Sequence, residues 1–181
     1  MKDPMIGWYM RDWRKVSENG KTRFEYVGEY YGYGLEGKAL RRMKLALVGA
    51  CILFVAVYLL SAVLVSEGAM WRWVGLFQVL TLLGCLYLAM AVGRICLSGP
   101  KMTYRDYYAG PLRLQKASMA CVVLTGLTLA AELVYMVRFP CDLGRELVFV
   151  AELGICLFLA VGCVRFGKRC PCEMVEGPKE V

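Results

Sequence analysis

Two glutamates stand inside long apolar segments of the sequence, where an ionisable side chain is uncommon. Glu132 lies in the stretch "AELVYMV" and Glu152 in the stretch "AELGICL". A charged group in the hydrocarbon core of a membrane costs roughly 3 kcal/mol even on insertion scales. Each carboxyl group is therefore expected to face protein or water, where it can bind a proton or a cation or pair with a group on another chain.

These two glutamates are predicted to lie at nearly the same depth. Glu132 comes six residues before Arg138 at the end of the third apolar run, and Glu152 comes seven residues after Arg145 at the start of the fourth. Six helical residues rise about 9 Å. Gln78 lies about five residues into the second run, at a comparable level. We predict a polar site formed by Glu132, Glu152 and Gln78.

Three interpretations of this polar site remain open. The first is pairing with a basic or polar residue of another subunit, and the second is a proton or cation site among the helices. The third is a protonated carboxyl group that hydrogen-bonds to a neighbouring helix. Burial favours the protonated form of a carboxyl group, and two close carboxyl groups favour it further.

Four apolar runs must position these residues. The chain has 181 residues and is 59% hydrophobic, whereas a soluble domain is about 45–50% apolar. Each run approaches the roughly 20 residues that cross about 30 Å of hydrocarbon. The predicted fold is therefore an all-α polytopic membrane protein with four transmembrane helices. Their predicted bounds are about 45–65, 74–97, 117–137 and 147–164.

The sequence outside the runs predicts two further parts. Residues 1–42 are predicted to be a cytoplasmic segment with a β-hairpin and an interfacial turn, because Asn19-Gly20 is a strong hairpin signal between residues that favour strands. Residues 43–166 form the four-helix bundle, and residues 167–181 form a cytoplasmic tail. A lone hairpin is marginal in water, so its aromatic residues are expected to dock on the membrane surface, on a cytoplasmic loop or on a partner. The docking candidates are Tyr26, Tyr30, Tyr31, Tyr107 and Tyr108.

A short motif occurs twice. Glu29-Tyr30-Tyr31-Gly32 precedes the first run, and Asp106-Tyr107-Tyr108-Ala109 precedes the third. Each copy is followed by a Leu-Arg pair and a lysine. This spacing indicates a duplication that gives two helical hairpins of parallel topology, a repeat form known in membrane proteins. A chance match of so short a motif is the alternative.

The basic residues predict the orientation in the membrane. Nineteen of the 22 Lys and Arg residues lie in residues 1–44, in the segment from Arg94 at the end of the second run to the start of the third, or after the fourth run. Because positive residues stay inside, both termini are predicted to be cytoplasmic in a multi-pass protein of a bacterial inner membrane. The net charge of +7 is explained by this topology, so no nucleic-acid partner is predicted.

Nine cysteines raise the question of redox or metal chemistry. Five of them lie well inside the apolar runs and Cys96 lies at the end of the second run; a free cysteine inside such a run behaves as a small hydrophobic residue. The Cys170-Pro-Cys172 motif is a weak candidate for a metal or thiol site, because two thiolates are too few ligands for a structural zinc ion. The chain has no histidine and no glycine-rich phosphate loop. We predict neither an enzyme nor a cofactor.

The N-terminal pattern "NGKT", "YVGEYYGYGL" and "KALRRMK" resembles uncharacterised small four-helix membrane proteins of Gram-positive gut bacteria. Their genes often stand beside secondary transporters of the major facilitator or glycoside-cation symporter type. The resemblance covers about residues 13–60 best, and "MTYRDYY" at 102–108 less well. No chemistry is assigned to this motif, so no functional residue is carried over. The resemblance implies an accessory subunit.

Three functions follow as expectations. The first is a non-catalytic accessory subunit that docks on a larger membrane protein, with a secondary transporter as the candidate partner. The alternative is a small oligomeric proton-coupled transporter that uses Glu132 and Glu152. The third is a thiol or metal protein of the cytoplasmic face that uses Cys170 and Cys172. Membrane lipid is a partner in every case, and a homo-oligomer is an open alternative to a hetero-complex.

Overall fold

The computed structural model describes residues 13–18, 21–35, 37–63, 66–169 and 172–176. The predicted Asn19-Gly20 turn lies outside the described residues. So do Cys170 and Pro171 of the Cys-Pro-Cys motif, and the outer parts of the predicted N-terminal segment and C-terminal tail.

Four long helices form the body of the protein, and each is long and apolar enough to cross a membrane. The predicted all-α fold with four transmembrane helices is confirmed. The helices extend beyond the apolar runs because the flanking Lys, Arg, Leu and Met residues are good helix formers. They are α1 (Gly37–Val63), α2 (Arg72–Leu97), α3 (Tyr104–Arg138) and α4 (Leu143–Arg169).

The four helices pack in a ring, in which α1 and α3 each contact both α2 and α4. Helix α1 supplies large core residues at helical spacing, among them Leu47, Phe54 and Tyr58. Helices α3 and α4 supply small ones, such as Ala117 and Ala160. Small residues let helices approach closely inside a membrane, so the large side chains of α1 fill the space that remains.

Helix α3 begins irregularly. A short α-helical turn, Tyr104–Tyr107, is followed by a π-helical segment, Tyr108–Leu112, before regular α-helix runs over Arg113–Arg138. Pro111 lacks the N–H that an α-helix requires, and a π segment accommodates the missing hydrogen bond. Gly110 allows this segment to lie against α2, since an ideal Cβ there would be 3.0 Å from Ile95 Cγ1.

Two small sheets lie outside the helices. Strands β1 (Trp13–Glu18) and β2 (Lys21–Tyr26) pair antiparallel, which confirms the predicted N-terminal hairpin. Strand β3 (Tyr30–Gly32) pairs antiparallel with β4 (Met102–Thr103) and β5 (Glu173–Glu176). This second sheet, which the sequence did not predict, joins the N-terminal segment, the α2–α3 connection and the tail.

The second sheet defines the two ends of the molecule. We call the end that carries β3, β4 and β5 the terminal end. The opposite end, formed by residues 66–71 and 139–142, is called the hairpin end, because there α1 connects to α2 and α3 connects to α4.

Candidate functional site

Two fully buried carboxyl groups meet at the hairpin end. Glu132 of α3 and Glu146 of α4 are both 0% exposed, and both carboxyl groups lie next to the backbone of Gly68. Glu146 Oε1 accepts a 3.2 Å hydrogen bond from the backbone N–H of Gly68. We call Glu132 and Glu146 the acid pair.

Gly68 lets the α1–α2 connection approach the acid pair. It begins a short 3₁₀ turn, Gly68–Met70, and is itself buried. An ideal Cβ on Gly68 would lie 2.7 Å from Glu132 Cδ, nearer than real Cβ contacts allow. Three segments, from α3, α4 and the α1–α2 connection, therefore converge on the two carboxyl groups.

Apolar and aromatic side chains surround this convergence. Trp71, Tyr135 and Phe139 form a ring cluster with centroid separations of 5.2–6.2 Å. A small buried core next to it contains Val74 of α2 with Phe149 and Leu153 of α4. A charge in such surroundings is poorly solvated.

No cation of the described residues forms an ion pair with the acid pair. Arg145 lies 3.5 Å from Asp142, and both of these side chains are largely exposed. Arg72 and Arg138 are exposed as well. Among the described residues, no group of three or more His, Cys, Asp or Glu residues is arranged to hold a metal ion.

The acid pair also lacks hydrogen-bond donors. Neither side-chain oxygen of Glu132 has a hydrogen-bond partner among the described groups, and Oε2 of Glu146 has none. The hydrogen-bond donor that the structure shows at the pair is thus the Gly68 N–H, and Glu146 accepts its hydrogen bond. An acid pair of this kind can bind protons, and its charge state must affect the contact with Gly68.

The three residues that the sequence grouped have different surroundings. Glu132 belongs to the acid pair, whereas Glu152 is buried on α4 further from the hairpin end, and its Oε2 has no hydrogen-bond partner. Gln78 of α2 is half-buried; its backbone carbonyl accepts a hydrogen bond from the Tyr58 hydroxyl, and its Nε2 has no partner.

Glu146 and Gly68 were not singled out from the sequence. Glu146 lies in the first turn of α4, where an acidic residue is readily explained by the helix dipole. A signal was nevertheless present, because Glu146, Phe149 and Leu153 recur at helical spacing and all face inward.

Most of the tyrosine docking candidates contact one another within the chain. Tyr26 is buried; its hydroxyl donates to the Glu29 carbonyl at 3.2 Å and accepts from the Tyr104 N–H at 3.1 Å. Tyr31 and Tyr107, one from each copy of the repeated motif, stack with centroids 4.3 Å apart. The two copies differ in backbone, since Tyr31 lies in a strand and Tyr107 in a helix.

Two tyrosines of the terminal end also interact with charged groups. The Tyr31 hydroxyl donates a 2.5 Å hydrogen bond to Glu29 Oε2, and this bond is the main reason that the pKa of Tyr31 is raised to about 12. Tyr108 is exposed, and Lys116 Nζ lies 5.8 Å from its ring centroid. Docking of these tyrosines on a partner stays a prediction.

Cys172 lines a cavity of about 190 Å³ at the terminal end. Burial raises the pKa of its thiol to about 11, which disfavours the thiolate that a metal ion would need. The cavity also contacts side chains of the N-terminal segment, α3 and α4, among them Tyr33, Gln115 and Phe166.

Among the described residues, the acid pair is the strongest candidate for a functional site, and the reaction that it can perform is proton binding. Its carboxyl groups are buried and have no cation partner among the described residues, and the Gly68 N–H donates to Glu146 but not to Glu132. In the comparisons with known proteins, no family model, no curated protein and no solved structure matches the chain.

Proposed function

We propose that the protein is a non-catalytic accessory subunit that binds a larger membrane protein through the outward faces of its helices. A secondary transporter is the candidate partner, and both termini lie in the cytoplasm. The observation that carries this proposal is an outward-facing pair of small residues on α2. Ala89 and Gly93 are both exposed, and nothing in this chain lies within 4 Å of an ideal Cβ on Gly93.

An exposed pair of this spacing suits contact with another helix. Small residues four apart let two helix backbones approach closely in lipid. Glycine inside a helix is less favourable than alanine by about 1 kcal/mol, and Gly93 makes no close contact in its own chain that would offset this difference. An external helix that packs at Ala89 and Gly93 would supply the missing contact.

The interior of the bundle supports a structural role rather than a transport role. Side chains of all four helices, among them Phe54, Leu88, Leu114 and Ala160, form one continuous buried cluster. The acid pair is enclosed by the separate apolar and aromatic groups of the hairpin end. A solute would have to displace these groups to pass.

Co-purification tests the proposal. The protein, tagged at its C-terminus and gently solubilised from its native membrane, should carry a larger membrane protein in fixed stoichiometry. Gly93→Leu should reduce the amount of that protein about tenfold or more, a loss of about 1.4 kcal/mol in binding. Gly49→Leu is the matched control, since Gly49 is also an exposed helical glycine with nothing within 4 Å of its Cβ position. Recovery of this chain alone, or equal recovery from both variants and wild type, would contradict the proposal.

A second candidate function is a small oligomeric proton-coupled transporter. It is favoured by the complete burial of Glu132 without a cation partner among the described residues. Purified protein in sealed vesicles would then show a substrate flux that depends on the pH gradient and that Glu132→Gln abolishes. Flux that is absent from the purified protein, but present in a complex with a larger protein, would favour the accessory role.

A further inference from the structure

We infer that Glu132 and Glu146 share one proton, and that this shared proton holds the α1–α2 connection closed over the hairpin end. This proton-dependent closure of the α1–α2 connection does not depend on the accessory role. It rests on the contact between the two carboxyl groups, on their burial and on the position of Gly68.

The contact itself requires a proton. Both oxygens of Glu132 lack a protein donor, yet its carboxyl group lies against Gly68, the residue whose N–H is bound by the carboxyl group of Glu146. Two carboxylates at such a distance repel each other, and an apolar environment strengthens this repulsion. With one proton between them, one carboxyl group donates a hydrogen bond to the other, and the pair carries a single negative charge.

The single charge has a defined place. Glu146 Oε1 accepts the hydrogen bond from Gly68 N–H, and Glu146 lies in the first turn of α4, where the helix dipole favours a negative charge. Glu132 has neither advantage. The proton therefore resides mainly on Glu132, which donates it to Glu146.

The neighbouring titratable groups provide no compensating positive charge. Tyr135 of α3 and Cys141 of the α3–α4 connection lie near the acid pair, and Glu67 of the α1–α2 connection lies near these two residues. Each of these is neutral or acidic. Asp142 already forms an ion pair with Arg145, whose side chain is exposed. Helix α2 packs at this site through the apolar side chain of Val74.

Loss of the shared proton should open the hairpin end. The second negative charge would appear on Glu132, directly against Gly68, where no donor is available. Water must then enter, and the simplest route is displacement of residues 66–71 from α3 and α4. In this account protonation closes the connection and deprotonation releases it.

Infrared spectroscopy tests the shared proton directly. Wild-type protein in lipid nanodiscs at neutral pH should show the carbonyl band of a protonated, poorly hydrated carboxyl group. Glu152 is a second buried carboxyl group, so the variants are compared in a Glu152→Gln background, which should keep the band. Adding Glu132→Gln should remove it, because the amide donates to Glu146 and leaves it ionised. Absence of the band from Glu152→Gln, or its survival when Glu132→Gln is added, would overturn the inference.

Cys141 reports on the opening. Its half-buried thiol lies in the α3–α4 connection, and burial together with Glu146 and Glu132 raises its pKa. The logarithm of its alkylation rate, measured on the Cys141 peptide, should rise with a slope of about one per pH unit at low pH and steepen towards about two where the acid pair loses its proton.

The double variant Glu132→Gln with Glu146→Gln provides the comparison. Its amide side chains are close in size to protonated glutamates and should preserve the fold. Its alkylation slope should remain at about one throughout. A slope that steepens equally in wild type and in the double variant would show that the opening does not depend on the acid pair.

Discussion

At the scale of single residues, Gly68 occupies a position where no larger side chain fits unless Glu132 moves. The restriction arises from close approach and not from an unusual backbone, since the glycines with positive φ are Gly34 and Gly37. The side chain that a Cβ would meet is a buried carboxyl group already in contact with a second one. It therefore has little freedom to give way.

Gly68→Ala should destabilise the protein by about 1–3 kcal/mol, the usual range for overpacking a buried site. Gly126→Ala is the matched control, because nothing lies within 4 Å of its Cβ position, and alanine in a helix should be neutral or stabilising by up to about 1 kcal/mol. Unfolding in a denaturing detergent, followed by circular dichroism, measures both. Equal stability of the two variants would argue against the tight contact.

Cys172 should react slowly with alkylating reagents. Its pKa is raised by burial from 9.0 to about 11, so at pH 8 its thiolate fraction is about 100-fold below that of the ordinary thiol. The stabilisation that comes from the buried neutral thiol is fully present below about pH 9 and is lost as the pH rises through about 11.

The measurement is the alkylation rate of Cys172 in a Cys170→Ser variant, which leaves one thiol in that peptide. The same protein denatured in detergent is the control and should react about 100-fold faster at pH 8. Similar rates in the folded and denatured states would place Cys172 in water instead of against the cavity.

The burial of Glu132 follows from hydropathy, whereas its partner does not. A carboxyl group in the middle of an apolar run must be enclosed, but hydropathy does not fix the rotation of a helix. The sequence therefore could not decide between Glu146 and Glu152 as the neighbour. Only the inward stripe of α4, on which Glu146, Phe149 and Leu153 recur, contained that information.

At the scale of elements, α1 is tied to the end of α2 by a lysine. Lys44 Nζ donates to the carbonyl oxygens of Cys96, at 3.3 Å, and Ser98. These carbonyl groups lie at the C-terminal end of α2, where the helix dipole favours a cation. The bond thus joins two helices at the terminal end.

Lys44→Met should destabilise the protein by about 1 kcal/mol, and up to about 2 kcal/mol if the site is well shielded from water. Lys38→Met is the control, because Lys38 is an exposed residue of the same helix. Thermal unfolding in one detergent compares the two. If both variants unfold at the same temperature as wild type, Lys44 does not stabilise the end of α2.

The tail strand β5 should leave the second sheet when a proline interrupts it. Met174 pairs with Tyr31, and Met174→Pro places in this pairing a residue that has a fixed φ and no N–H. Limited proteolysis should then cleave the tail at least several-fold faster, whereas Met174→Ala should stay close to wild type. Cleavage at the same rate in both variants would contradict the pairing.

The second sheet was missed for a physical reason. Strands β3, β4 and β5 contain three, two and four residues and come from segments far apart in the sequence. Pairing of such short strands depends on the helices that bring them together. The β1–β2 hairpin is local, and its turn and strand residues suffice to predict it.

At the scale of the whole molecule, the basic residues are unevenly distributed along the sequence. Nineteen of the 22 Lys and Arg residues occur in residues 1–44, 94–116 and 165–181, the three segments that contain β3, β4 and β5. If four helices cross the membrane, both termini must share one side, which the positive-inside rule predicts to be the cytoplasm. The apolar outer faces and exposed small residues, Ala89 and Gly93 among them, would then contact lipid and, in the complex that we propose, a partner helix.

Native mass spectrometry of the particle released from its own membrane tests the accessory role most directly. Our account predicts a complex in which one or a few copies of this 20.3 kDa chain are bound to a larger membrane protein at constant stoichiometry. Gly93→Leu should release the chain from that complex, and Gly49→Leu should not. A particle whose mass is a simple multiple of 20.3 kDa would contradict the account and would instead favour a self-contained oligomer with the acid pair at its centre.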